Sequence, residues 1–91
     1  MRVTVHVSAV LREYCGGVSD LEMSSPSVRA LLGDLERTYP ALYRSVCDDT
    51  GAVRRHVSLF VNESHVRDLE GLDTQLAAGD VLSIVPAVSG G

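Results

Sequence analysis

Residues 2–8 alternate strictly: Val3, Val5 and Val7 fall on one side, and Arg2, Thr4, His6 and Ser8 on the other. A period of two marks a strand with one buried face. Leu11-Arg12 follows, Gly16-Gly17 signals a turn, and Val18, Leu21 and Met23 form a second apolar-spaced run. The first quarter of the chain is therefore expected to be a β-hairpin with a long loop. The period then changes. Val28, Leu31, Leu32, Leu35 and Tyr39 recur at helical spacing, while Arg29, Asp34, Glu36 and Arg37 face elsewhere. Ser24 to Ser27 supplies the start: a serine can cap the orphan amides, and Pro26 has the preset φ of a first helical position. Gly33 costs such a helix about 1 kcal/mol relative to alanine, which predicts a close approach there. Pro40 ends the helix, and residues 41–46 add a short helical turn before the loop of Asp48 to Gly51.

The second half repeats the alternation. Val57, Leu59 and Val61 point one way, and Ser58, Phe60 and Asn62 the other. A turn at 62–64 leads to a short fourth strand, His65 to Arg67. Residues 71–76 suit a brief helical turn, and Ala78-Gly79-Asp80 a tight turn into the apolar segment from Val81 to Val88. The order β-β-α-β-β-(turn)-β predicts an α+β fold, a mixed sheet of four to five strands clasping one main helix. The first and last strands are expected side by side, parallel and central, because the helix provides the crossover that such pairing needs. Apolar residues at nearly every position of the last strand agree with a central place. Residues 1–86 would be the folded domain, and 87–91 a flexible C-terminal tail.

That tail reads Ala87-Val88-Ser89-Gly90-Gly91. Glycine lacks Cβ, so the pair can enter a narrow channel. Five extended residues span at most roughly 17 Å, enough to reach another protein's active site. The tip carries an α-carboxylate with a pKa near 3.5, an anion at neutral pH and a poor electrophile. Its use requires activation, most simply as an acyl adenylate; attack by sulfur then yields a thiocarboxylate. Nothing in the chain suits ATP binding, so activation falls to a partner, and the protein is expected to be a substrate and not an enzyme. The bland alternative is a frayed terminus.

Composition narrows the classes. Ninety-one residues make one domain with little room for an enclosed active site. The net charge of -4 argues against nucleic acid, and Arg54-Arg55-His56 reads as a solvated approach to a strand. No apolar run suits a signal peptide or a membrane span, and two cysteines are too few for a disulfide framework. Cytoplasm is the expected location, with no nucleic-acid or membrane partner. His6, His56 and His65 lack metal-ligand spacing, so no metal and no bound cofactor is expected. Cys15 reads as a loop thiol and Cys47 as a partly buried small residue. Phe60, the one phenylalanine, lies opposite the Val57/Leu59/Val61 side. Together with Val81, Val85 and Pro86 it forms a candidate partner-docking patch.

The chain also resembles a known family, the ubiquitin-like sulfur carriers that include the small subunit of molybdopterin synthase and the thiamine-pathway carrier. The likeness runs through Leu11-Arg12, Ser27-Val28 with Leu31-Leu32, Tyr39-Pro40, Phe60-Val61-Asn62 and Leu76 to Asp80, and is most specific in Pro86-Ala87-Val88-Ser89-Gly90-Gly91. Within the family, residues 11–17, 61–67 and the ending are most similar to carriers that feed cysteine-synthase-like enzymes. The resemblance implies a β-grasp fold. It implies that Gly91 is adenylated by an E1-like enzyme, which uses the ATP, and then thiocarboxylated, with Ser89 and Gly90 threading the tail. A sulfur-accepting enzyme, cysteine-synthase-like or the molybdopterin synthase large subunit, would receive the sulfur. Three alternatives stand beside the free carrier: a molybdopterin synthase small subunit, a ubiquitin-like protein modifier, and a plain β-grasp interaction module.

Overall fold

The computed structural model describes residues 2–87. Strand β1 spans Val3–Val7 and pairs antiparallel with β2, Asp20–Met23, in the register Val3 to Met23. The connection between them is not a plain loop. Residues Ala9–Cys15 wind into a 3₁₀ helix closed by Gly16 at φ 75°. Leu11 and Cys15, four apart, both turn inward and are buried. Val18, expected in the second strand, precedes it and is exposed.

Helix α1, Val28–Thr38, begins two residues later than the expected start at Pro26. Ser27 is the cap, its hydroxyl accepting the Ala30 amide at 3.1 Å. Pro26 therefore sits before the cap and not at the first helical position. Val28, Leu31, Leu32 and Leu35 are the buried stripe. Gly33 is not a close-packing site: a Cβ there would meet nothing within 4 Å. Pro40 opens a second short helix, α2, Pro40–Val46, which buries Leu42 and Val46.

Strand β3, Val57–Val61, turns at Asn62 (φ 56°) into β4, which is only Ser64–His65. The strand expected to continue to Arg67 instead becomes 3₁₀ at Val66–Asp68, because Val66 rolls in under the sheet and is buried. A further 3₁₀ turn covers Gly71–Asp73, and β5 follows at Val81–Pro86.

The sheet order is β2-β1-β5-β3-β4, with β1 and β5 parallel and β3 antiparallel to β5. The last strand is thus held on both sides, as expected. Its burial alternates, however: Leu82 and Ile84 are fully buried under α1, while Val81, Ser83 and Val85 turn to the uncovered face. Five strands with one helical layer on one face form a β-grasp.

Candidate functional site

β5 ends at Pro86, and the residue that follows it is firmly tied. Ala87 donates its amide to the His56 carbonyl at 2.5 Å, and the Ser8 hydroxyl donates to the Ile84 carbonyl at 2.7 Å. Pro86 is aligned with Val57. The hydrogen bonds of Ala87 to His56 and Asn62 to Val81 fix the alternation of the β3–β5 ladder. They make Val57/Pro86 a pair that exchanges no hydrogen bond, so the missing proline N–H costs the sheet nothing. Ser89, Gly90 and Gly91, expected to thread and carry the reactive group, lie outside the described residues, as do Met1 and Val88.

Beside this root lies the uncovered face of the sheet. The register places Asp20, His6, Ser83, Phe60 and His65 in one row across all five strands. Phe60 meets His65 edge-on, with ring centroids 5.1 Å apart at 67°. At the other end of the row, His6 Nδ1 and Asp20 Oδ1 are 3.0 Å apart, and this hydrogen bond holds the Asp20 carboxyl below its ordinary range. Val81 and Val85 share the face with Phe60, Val85 being 40% exposed. Pro86 does not: its parity is that of Leu82 and Ile84, which puts it on the helix side. The expected patch is therefore brought together as Phe60, Val81 and Val85, with Pro86 behind it. His6 and His65 were not expected beside Phe60. Their shared parity was visible, but joining them across strands required the sheet order.

The remaining reactive side chains are withdrawn from solvent. Cys15 and Cys47 are 4% and 1% exposed, and burial raises both thiols above their usual pKa. Cys47 was expected to be partly buried and Cys15 to sit in a loop; both instead belong to the core. Among the described residues, no group of three or more His, Cys, Asp or Glu could hold a metal ion, and no helix is long and apolar enough to cross a membrane.

The segment after α2 is well ordered by its own bonds. The Asp48 carboxylate accepts from the Thr50 amide (2.9 Å), the Thr50 hydroxyl (2.5 Å) and the Ala52 amide (3.2 Å). Cys47 bridges to Val53, and the Arg54 amide donates to the Val46 carbonyl at 2.9 Å.

Comparison with known proteins agrees with this arrangement. A family model described as the ThiS family matches residues 5–91. The sulfur carrier protein CysO of Mycobacterium tuberculosis is 37% identical over 93 residues, an alignment covering the whole of both chains. Among solved structures, the Amycolatopsis orientalis BexX/CysO complex superposes with a TM-score of 0.88 at 30% identity, covering 98% of this chain and 99% of the other. SAMP1 from Haloferax volcanii superposes with a TM-score of 0.85 at 28% identity over the full length of both. With a family match running from β1 to the final glycine, the chain belongs to the ThiS family.

Proposed function

We propose that this protein is a sulfur carrier whose working group is the carboxylate of Gly91. An E1-like partner would join that carboxylate to the AMP portion of ATP, releasing pyrophosphate. A sulfur nucleophile would then displace AMP and leave a thiocarboxylate. The loaded terminus would pass its sulfur to an acceptor held by a second enzyme, with Ser89 and Gly90 giving the tail the narrow profile that entry requires. The observation that carries this reading is full-length similarity to the sulfur carrier protein CysO of M. tuberculosis. The clamped root of β5 supports it, because a reactive tip needs a fixed base to be presented from. The A. orientalis carrier is found in complex with BexX, and a comparable partner is expected here. The cysteine-synthase-like class is the favoured acceptor.

A second reading is protein modification, favoured by the likeness to SAMP1. One feature of the sequence restricts it: all eight basic residues are arginine, and no lysine occurs in the 91 residues. The chain therefore offers no side-chain amine to a second copy, and polymers linked through isopeptide bonds on its own body are excluded.

The test is an incubation of the full chain with ATP, the activating enzyme of its source and a sulfur donor. The intact mass should rise by the exchange of one oxygen for sulfur. Deleting Gly91 should abolish that rise while leaving the melting temperature unchanged. An unloaded wild type with every candidate activating enzyme of the source would refute the carrier reading, and lysine-linked conjugates in lysate would favour the modifier.

A further inference from the structure

The ladder between β1 and β5 stops one rung short of the end of β5, and a side chain takes over where it stops. The bonds of Ala87 to His56 and Asn62 to Val81 turn the odd residues of β5 towards β3. Leu82, Ile84 and Pro86 therefore direct their backbone groups to β1. On β1 the Thr4 amide donates to the Asp80 carbonyl at 3.0 Å. With Thr4 beside Val81 and Val7 beside Ile84, the bonding residues of β1 are Thr4 and His6, and Ser8 would be next. That rung needs the Pro86 amide to donate to the Ser8 carbonyl, and proline has no N–H. The Ser8 carbonyl accepts the Leu11 amide instead, at 2.9 Å, and the chain leaves the sheet as the 3₁₀ helix Ala9–Cys15.

Ser8 is the N-cap of that helix, where a serine hydroxyl ordinarily accepts an amide of the first turn. It makes no such bond here. Its hydroxyl reaches across to the last strand and donates to the Ile84 carbonyl at 2.7 Å, joining residues 76 apart in sequence. In a regular parallel ladder that carbonyl would serve the Ser8 amide. The end of β5 is thus held on its β3 side by main-chain bonds and on its β1 side by a hydroxyl. Between the Ile84 and Ala87 ties lies Val85, 40% exposed on the open face that also carries Phe60.

We propose that Ser8 is a positioning residue for the reaction at Gly91. It acts through the strand and not on the reacting atoms. By pinning the Ile84 carbonyl it fixes the lie of Val85, Pro86 and Ala87, through which a partner docked on the open face aligns the carrier before acting on its terminus. This role rests on the carrier reading. Reaction between positioned groups is steep in distance, so a base free to shift by about 1 Å slows the chemical step more than it weakens docking. A hydroxyl that only filled a leftover acceptor would matter to stability alone.

The test compares the full-length wild type, Ser8→Ala and Ser8→Thr in steady-state loading with ATP, the activating enzyme of the source and a sulfur donor. The temperature is one at which circular dichroism shows all three folded. Ser8→Ala should lower kcat for loading about three- to tenfold with KM for the carrier unchanged, and exchange of the Ala87 amide should quicken. Ser8→Thr keeps the hydroxyl and should restore both. Ser25→Ala removes a buried hydroxyl bond elsewhere in the chain and should load at the wild-type rate, which separates lost positioning from lost stability. Wild-type kinetics in Ser8→Ala would overturn the proposal, as would an equal loss in Ser8→Thr or in Ser25→Ala. A rise in KM with kcat unchanged would also overturn it, making Ser8 a docking contact. A wild type that does not load refutes the carrier reading and this role with it, whereas a loaded wild type with an indifferent Ser8→Ala removes the role of Ser8 alone.

Discussion

Two neighbouring residues of β5 give a test in which stability and function should move apart. Ile84 is fully buried beneath the helices, whereas Val85 is 40% exposed on the uncovered face. Ile84→Val removes one methylene from a packed core, a loss of about 1 kcal/mol. For a domain of this size that lowers the melting temperature by about 4–8 °C. With roughly 5–14 kcal/mol of total stability, the variant is still almost wholly folded at room temperature, and sulfur loading should proceed at the wild-type rate. Val85→Thr keeps the side-chain shape and puts a hydroxyl on the open face, where substitutions usually stay within about 0.5 kcal/mol. It should leave the melt unchanged and slow loading about three- to tenfold, as loss of one apolar docking contact does. Urea melts followed by circular dichroism and initial loading rates by intact mass measure both quantities. A larger loss of stability for Val85→Thr than for Ile84→Val would mean that the register is wrong by one residue. Slow loading in Ile84→Val with normal loading in Val85→Thr would remove the docking role from this face.

Three further outcomes are expected. Ser25 is fully buried and its hydroxyl donates to the Asp34 carboxylate; Ser25→Ala removes that bond while Asp34 keeps Arg37, and should cost about 0.5–1.5 kcal/mol in a urea melt. Hydrogen bonds from Thr50 hold the Asp48 carboxyl below its ordinary value of 3.8. A depressed pKa contributes stability above the unfolded value and loses it as pH falls through the folded one. The stability gap between wild type and Asp48→Asn should therefore be full at neutral pH and close on acidification below about 3.8; a gap unchanged at pH 2 would contradict it. Buried Cys15 and Cys47 should resist an aromatic disulfide reagent in the native protein and react fully in urea; rapid native labelling of either would show that its cover opens.

What could be read from the sequence was what depends on period. Alternation located β1 and β3, helical spacing located α1, and the need for a crossover put β1 beside β5. The misses share a cause: they depend on contacts made at a distance. Leu11 and Cys15 have helical spacing, but the Gly16-Gly17 pair drew the segment into a loop, and only the core beneath it explains the 3₁₀ turn. Pro26 and Ser27 both suit a helix start, and the Ala30 amide decides between them. Val66 was counted as strand because its neighbours alternate, yet the short β4 leaves its side chain free to roll inward. Pro86 and Val85 cannot share a patch on one face, because adjacent strand residues point to opposite faces. Arg54 and Arg55 read as a solvated approach to a strand, and Arg55 is exposed; the bond from the Arg54 side chain to the Arg44 carbonyl could not be read from spacing.

The uneven treatment of the two faces has a consequence for how this fold can be used. Nearly all of the buried apolar surface lies between the sheet and its helices, so a side chain exchanged on the open face perturbs little of what keeps the chain folded. Such a face can take on the shape of a particular partner by substitution while the core keeps the root of the tail in place. The same reasoning forbids equal freedom inside β5: Leu82 and Ile84 are fully buried, and loosening them would loosen the strand that ends at Pro86, just before Ala87. Partner choice should accordingly reside in outward residues such as Phe60 and Val85. Exchanging those residues between two carriers of this family should then exchange their preferred enzymes without exchanging their stabilities.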